Sequence, residues 1–328
     1  AVDNAAEIVV SPVTATWVRN MWGDTYLENE NVFYRMMLIL GLASYESITG
    51  DTRHHELMKA QRLSLADELS RSYRFLLDDY PGECYPNDVL WAVAAIQRAA
   101  ALDGENHDEL VNGLMEAYDG PVKSELGQPG FMMNKVTGMT MQEPRGCGNS
   151  GIMIFSPELD PVVSTRWYDS YVKHFWKESF LGAGFTEYPM GSNLAEMDVD
   201  SGPVIMEYGS VASSFGIGAA RAHGRMDHVV PLTMEIMATS WPTPFGLLLP
   251  GLMGYSAVGS SCLGEVAILF SMTRPVAVDS VTPHSGGYPL AVWLALLFYF
   301  GIGGTFIYLR VRYISNHRTK PLSPKRYT

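Results

Sequence analysis

Apolar positions recur along most of this chain at helical spacing. In residues 32–48 (VFYRMMLILGLASYESI) they fall at 32, 33, 36, 37, 39, 40 and 43, a broad stripe that one helix would bury. That helix is predicted to stop at Thr49-Gly50-Asp51, with a second amphipathic segment over about 54–77. The grammar returns twice. A helix over about 88–102 ends at Asp103-Gly104 before another from near 107, and one over about 203–222 ends at His223-Gly224 before another from near 226. Glycine supplies the left-handed residue that ends each first helix, so the pattern predicts helical hairpins. Strand-like alternation is rare; residues 128–155, rich in Gly, Met, Asn and Thr, read as an extended loop or small hairpin. About nine helices are expected between 32 and 272, an all-α architecture of paired helices. Periodicity leaves stacked and toroidal arrangements both open.

The pattern changes at the C-terminus. Residues 289–309, PLAVWLALLFYFGIGGTFIYL, hold no ionisable side chain except two tyrosines. As a helix these rise roughly 31 Å, about a bilayer hydrocarbon core. Trp293 and Tyr308 lie near the ends, where such rings favour the interface. Arg310, Arg312, Arg318, Lys320, Lys325 and Arg326 follow with no acidic residue, whereas residues 1–309 carry 17 basic against 35 acidic groups. The positive-inside rule therefore predicts a single-pass protein with a cytoplasmic tail and a periplasmic or extracellular main domain. Residues 243–272 are also apolar, but Pro244, Pro250, several glycines and Glu265 argue against a second span. They are read as a loop over 243–253 and a last core helix over about 256–272. The expected organisation is an N-terminal extension (1–20), a helical domain (21–275), a linker (276–288), the span (289–309) and a basic tail (310–328).

The formal charge of −12 over 328 residues excludes a general nucleic-acid binder. Three cysteines, Cys84, Cys147 and Cys262, exclude a disulfide scaffold and a CxxC-type zinc site. No HExxH, P-loop, GxGxxG after a strand, or GxSxG occurs.

Candidate chemistry sits in the connections. Trp22-Gly23-Asp24 with Glu30-Asn31 forms one group. A second is Gly82-Glu83-Cys84-Tyr85-Pro86-Asn87-Asp88, where Asn87 or Asp88 is expected to cap the next helix. The dipole of that helix would acidify the Cys84 thiol; an inert buried cysteine is the competing reading. Arg145-Gly146-Cys147-Gly148-Asn149 is the third group. The densest comprises Glu187-Tyr188-Pro189, Asp198-Val199-Asp200-Ser201-Gly202-Pro203 and Glu207-Tyr208. Asp200 or Ser201 would cap a helix holding Pro203 in its first turn, and close carboxylates here would push one pKa up for acid–base work.

At these loops the sequence resembles the linalool dehydratase/isomerase-like family. The matching stretches are Trp22-Gly23-Asp24, Glu30-Asn31-Val32-Phe33-Tyr34, Thr49-Gly50, Cys84-Tyr85-Pro86-Asn87-Asp88, Thr137-Gly138 and Asp198-Val199-Asp200-Ser201-Gly202, within about residues 20–273. The resemblance implies an exported (α/α)6 toroid, rings of subunits, and addition or removal of water at a monoterpene alcohol without metal or organic cofactor. The family's first active-site cysteine matches Cys84; its second falls on Val93, and its histidine falls near Met37. A closed ring needs twelve helices, so an incomplete ring covered by another chain is expected.

Two functions follow. One is a cofactor-independent enzyme, lyase/isomerase-like or glycan-active, using Glu187, Asp198 and Asp200 as acid–base groups with Cys84 at the rim. Trp22, Asp24, Tyr85, Asp88, Arg145 and Tyr188 would hold substrate. The other is a non-catalytic subunit of a membrane complex. Its partners would be lipid along residues 289–309 and other protein chains, which Gly301-Ile302-Gly303-Gly304 would let approach closely.

Overall fold

The computed structural model describes residues 2–194, 196–243, 246–248 and 262–318. Among them the chain forms twelve α-helices and eight strands of two or three residues, so the architecture is all-α. Two short helices, α1 (Val2–Val10) and α2 (Thr16–Trp22), lead in. The body is a series of hairpins: α3 (Val32–Thr49) with α4 (His55–Arg71), α5 (Pro86–Leu102) with α6 (Asp108–Asp119), α7 (Gly146–Leu159) with α8 (Pro161–Phe175), and α9 (Ser210–Ala222) with α10 (Met226–Thr239). After α11 (Cys262–Thr273) comes the long α12 (Leu290–Arg318).

The odd-numbered helices α3 to α11 pack on one another in succession, and each even-numbered helix from α4 to α10 packs on its hairpin partner outside that row. Gly50 and Gly104 end their hairpins' first helices at φ of 71° and 69°, a conformation a side chain would strain. The inner row is cemented by rings from four helices. Trp91 of α5 meets Phe155 of α7 at 4.8 Å, Phe215 of α9 at 6.0 Å and Phe270 of α11 at 6.2 Å. The Trp91 indole N–H also donates to the Gly151 carbonyl at 2.7 Å, satisfying its one polar atom.

Several expected boundaries are corrected. α4 stops at Arg71, not 77. Residues 73–75 turn instead, with Arg74 and Phe75 at positive φ, which seats the Phe75 ring where a Cβ on Gly113 of α6 would collide. The stretch 128–155 does hold a hairpin, β1 (Met132–Met133) with β2 (Thr140–Gln142), but α7 begins inside it at Gly146. Its glycines are a packing requirement: a Cβ on Gly146 would lie 2.1 Å from the Thr186 carbonyl oxygen. A second hairpin, β3 (Trp176–Glu178) with β4 (Ala183–Phe185), follows α8.

The helix expected from 203 begins only at Ser210, with Gly209 as its N-cap. Residues 204–209 form a tight hairpin, β5 (Val204–Ile205) with β6 (Tyr208–Gly209), turning through Met206 and Glu207 at φ of 53° and 78°. Asp200 and Ser201 therefore cap no helix. Neither do Asn87 and Asp88: Tyr85 is the N-cap of α5, Pro86 its first residue, and the pair lies in the first turn. Most of the 243–253 loop reading lies outside the described residues, which include a last hairpin, β7 (Trp241–Thr243) with β8 (Gly246–Leu248). The first part of the helix read over 256–272 also lies outside them. The segment before α12 is pinned to the body, Ala277 donating to Ala222 and Thr282 to Gly224 through their backbones.

α12 is nearly bare. Within Leu290–Asn316 the most apolar 18-residue stretch has a mean hydropathy of 2.0 and is 6% buried, long and apolar enough to cross a membrane. The helix runs past the expected end at 309 and includes Arg310 and Arg312.

Candidate functional site

The N-terminal ends of α3, α5 and α7 converge with the loop after β4. Asp79 lies between the first two: its buried carboxylate accepts the Phe33 N–H at 2.9 Å and the Tyr85 N–H at 3.0 Å. One side chain thus serves two helix entries. Burial, and then the charge of Asp88, pushes its carboxyl well above the usual range. Cys84 is fully buried, with its carbonyl taken by the Met133 N–H at 2.9 Å. Burial and then the charges of Asp79 and Asp78 push its thiol up, the reverse of acidification by a helix dipole.

Asp88, half-buried in the first turn of α5, accepts the Asn87 amide at 3.0 Å. Among the described residues no cation pairs with it. Burial and then the nearby charge of Asp200 push its carboxyl up to about 7.

Arg145, the residue before α7, organises the other side. Its guanidinium covers the Phe131 ring at 4.5 Å and the Tyr188 ring at 5.5 Å. Nε donates to Glu187 at 2.9 Å, while Nη1 and Nη2 grip both oxygens of Asp198 at 2.6 and 3.1 Å. Glu187 is wholly buried and also accepts the Cys147 thiol at 3.1 Å. Burial pushes Glu187 up against the pull of Arg145. Partial burial works the same way on Asp198, but Arg145 and the Ser201 N–H outweigh it and hold that carboxyl low. The Asp198 carboxylate accepts the Asp200 and Ser201 N–H groups at 3.1 and 2.8 Å, fixing the loop that carries Asp200.

Between these groups lies a small recess with room for about one water molecule, lined by Asn87, Phe131, Arg145, Gly148, Asn149 and Ile152 among others. Asn87 Oδ1, packed against Gly151, and Asn149 Nδ2 are buried from solvent without a protein partner. Tyr85 packs edge-on to Phe131 at 5.3 Å and donates its hydroxyl to Glu83 at 2.9 Å.

Of the residues singled out from sequence, the fold brings together Cys84, Tyr85, Asp88, Arg145, Glu187, Tyr188, Asp198 and Asp200. It leaves Trp22 and Asp24 apart. Trp22 packs with Ala15, Val18 and Tyr26 in a small N-terminal cluster, and Asp24 is exposed and paired with Arg19. Asp79 and Phe131 were not anticipated. The only signal for Asp79 was an acidic pair, Asp78-Asp79, ahead of a Pro-Gly turn. Among the described residues no cluster of three or more His, Cys, Asp or Glu side chains is placed to hold a metal ion.

No protein-family model matches this chain, and no curated protein matches it.

Proposed function

We propose that the protein is a single-pass, membrane-anchored enzyme whose helical head performs acid–base chemistry on a small hydroxylated or glycan-like substrate, without metal or organic cofactor. One observation carries this reading. Asp88, at about 7, stands in the electrostatic reach of Asp200, next in sequence to Asn87, which lines the recess beside Arg145. A carboxyl near neutrality exists in both forms and can give or take a proton. Arg145 fixes Glu187 and Asp198, so these two shape the site and Asp88 with Asp200 does its proton work. The basic residues from Arg310 onward support an extracytoplasmic head. The alternation of inner and outer helices supports reading that head as an open part of an (α/α) toroid.

The test is turnover by the full chain in detergent or nanodiscs on a panel of isoprenoid alcohols and oligosaccharides. Asp88→Asn is expected to lower kcat by about 10²-fold or more with an unchanged circular dichroism spectrum. Unchanged turnover in the variant, or no substrate for the native protein, overturns the reading. A non-catalytic membrane subunit is the second reading, favoured by α12: a Cβ on Gly301, Gly303 or Gly304 would meet nothing within 4 Å, so that face is open to another helix. It predicts a stoichiometric partner chain on detergent extraction.

A further inference from the structure

The start of α12 is not free, and this fixes the depth of its neighbours. Leu290 to Leu309 rises about 30 Å, one hydrocarbon thickness, and Arg310 and Arg312 close its far end. Sliding the membrane further along α12 would draw both guanidinium groups into lipid, so its near boundary lies at about Leu290. Yet the first ten residues of the helix are attached to the head. The Leu290 and Ala291 N–H groups donate to the carbonyls of Phe180 and Leu181, each at 3.0 Å. Val292 is fully buried, and the Tyr299 hydroxyl donates to the Ser240 carbonyl at 2.8 Å. Tyr299 lies nine residues below Leu290, about 14 Å.

Whatever touches α12 at these levels shares its depth. At the upper level stands the tip of the β3–β4 hairpin, Ser179-Phe180-Leu181-Gly182, which carries no charge; Phe180 is 82% exposed. Tyr288 and Trp293, both exposed with rings 6.2 Å apart, lie at that same end of α12. At the lower level stands the end of α10. Between Val229 and Ser240 its single ionisable side chain is Glu235, whose carboxylate accepts the Ala183 N–H at 2.8 Å, while Met237 is exposed.

We propose that the head is seated in the near half of the bilayer rather than tethered above it. Phe180 and Leu181 lie at the lipid–water boundary, and the C-terminal end of α10, as far as Ser240, stands against acyl chains near mid-depth. This rests on the reading of α12 as a span. Because α10 returns antiparallel to α9, the immersed end is level with the start of α9. There Gly209 lies so close to Glu187 that a Cβ would meet its Oε2 at 2.7 Å. The recess and the immersed surface therefore share one end of the hairpin row.

The experiment uses the full chain in phosphatidylcholine vesicles with a Cys262→Ser background, in which Cys84 and Cys147 are buried. Bimane is attached at Phe180→Cys, Met237→Cys, Phe306→Cys and Ile48→Cys, and quenching by shallow and deep spin-labelled lipids is read. The expected result is quenching at Phe180→Cys mainly by the shallow label. Met237→Cys should be quenched by the deeper one, Phe306→Cys, about 24 Å along the span and near its far boundary, should be quenched as lipid-exposed span, and Ile48→Cys should remain unquenched. Quenching at both head sites no greater than at Ile48→Cys, with Phe306→Cys still quenched, overturns the seating and leaves the span intact. An unquenched Phe306→Cys overturns the span itself, and the seating with it.

Discussion

The two ends of the same inner helices carry opposite charge clusters and treat them differently. At the N-terminal ends, Glu187 and Asp198 share one guanidinium, Arg145, while among the described residues Asp79, Asp88 and Asp200 have no paired cation. At the C-terminal ends, Arg98 of α5 and Arg274 after α11 share one carboxylate, Glu158 of α7. Each sign suits the helix dipole it meets, anions at the start and cations at the finish. The difference is closure. Arg274 lies over Phe155 at 4.6 Å and Phe270 at 5.4 Å, and Arg98 lies over Phe155 at 5.0 Å, so the basic end is sealed by aromatic faces. The acidic end keeps a small recess, a buried amide oxygen and a buried amide nitrogen without partners, and a carboxyl near neutrality. A closed cluster of paired charges holds helices together; an open one with surplus acid is able to move protons.

The largest expected effect comes from removing the cation at the acidic end. Arg145→Met strands buried Glu187 and frees the loop held by Asp198, at about 3–5 kcal/mol in denaturant melts. Because burial already raises Glu187, protonation relieves the variant, and its loss should be smaller at pH 5 than at pH 8. A loss independent of pH would show that Arg145 acts by packing alone. Next in size is Gly146→Ala, about 3 kcal/mol, since its Cβ would strike backbone at Thr186 and the start of α7 has nowhere to shift. At the basic end Glu158→Gln removes the shared carboxylate and should cost about 2 kcal/mol. It should leave turnover unchanged; an equal fall in kcat at both ends would erase the proposed division of labour.

Where local chemistry decides structure, the residues announced it. The helix ends at Gly50 and Gly104 and the apolar run of α12 could be read directly, because each depends on a neighbouring residue or on length. The start of α9 could not. Pro203 after Asp200 and Ser201 looks like a helix entry, but the hairpin through Met206 and Glu207 intervenes, held by pairing and by the Glu187–Glu207 backbone bond. The glycines of residues 146–151 read as loop because their reason, the approach of Thr186, Phe131 and Asn87, lies up to 64 residues away. In the site, the acids near 187–200 were visible as a cluster in sequence. Asp79 was not, since its role depends on two helix entries that are joined only in the fold.

The finest probe of the acidic end is Asp88→Asn. An unfolded aspartate releases its proton near 3.8, whereas the folded Asp88 holds it until about 7. Between those values the native state binds more protons than the unfolded chain, so this group makes stability fall as pH rises through the window and level off above it. Other carboxylates slope the opposite way, Asp198 among them, so the difference between native protein and variant is the quantity to measure. Asparagine cannot ionise. The two proteins should match near pH 4 and diverge upward, the variant being more stable at pH 8 by on the order of 1 kcal/mol, since solvent at a half-buried carboxyl screens much of the shift. If the native protein is equally stable relative to the variant at pH 5 and pH 8, Asp88 is an ordinary ionised carboxylate, and the acidic end is as inert as the basic one.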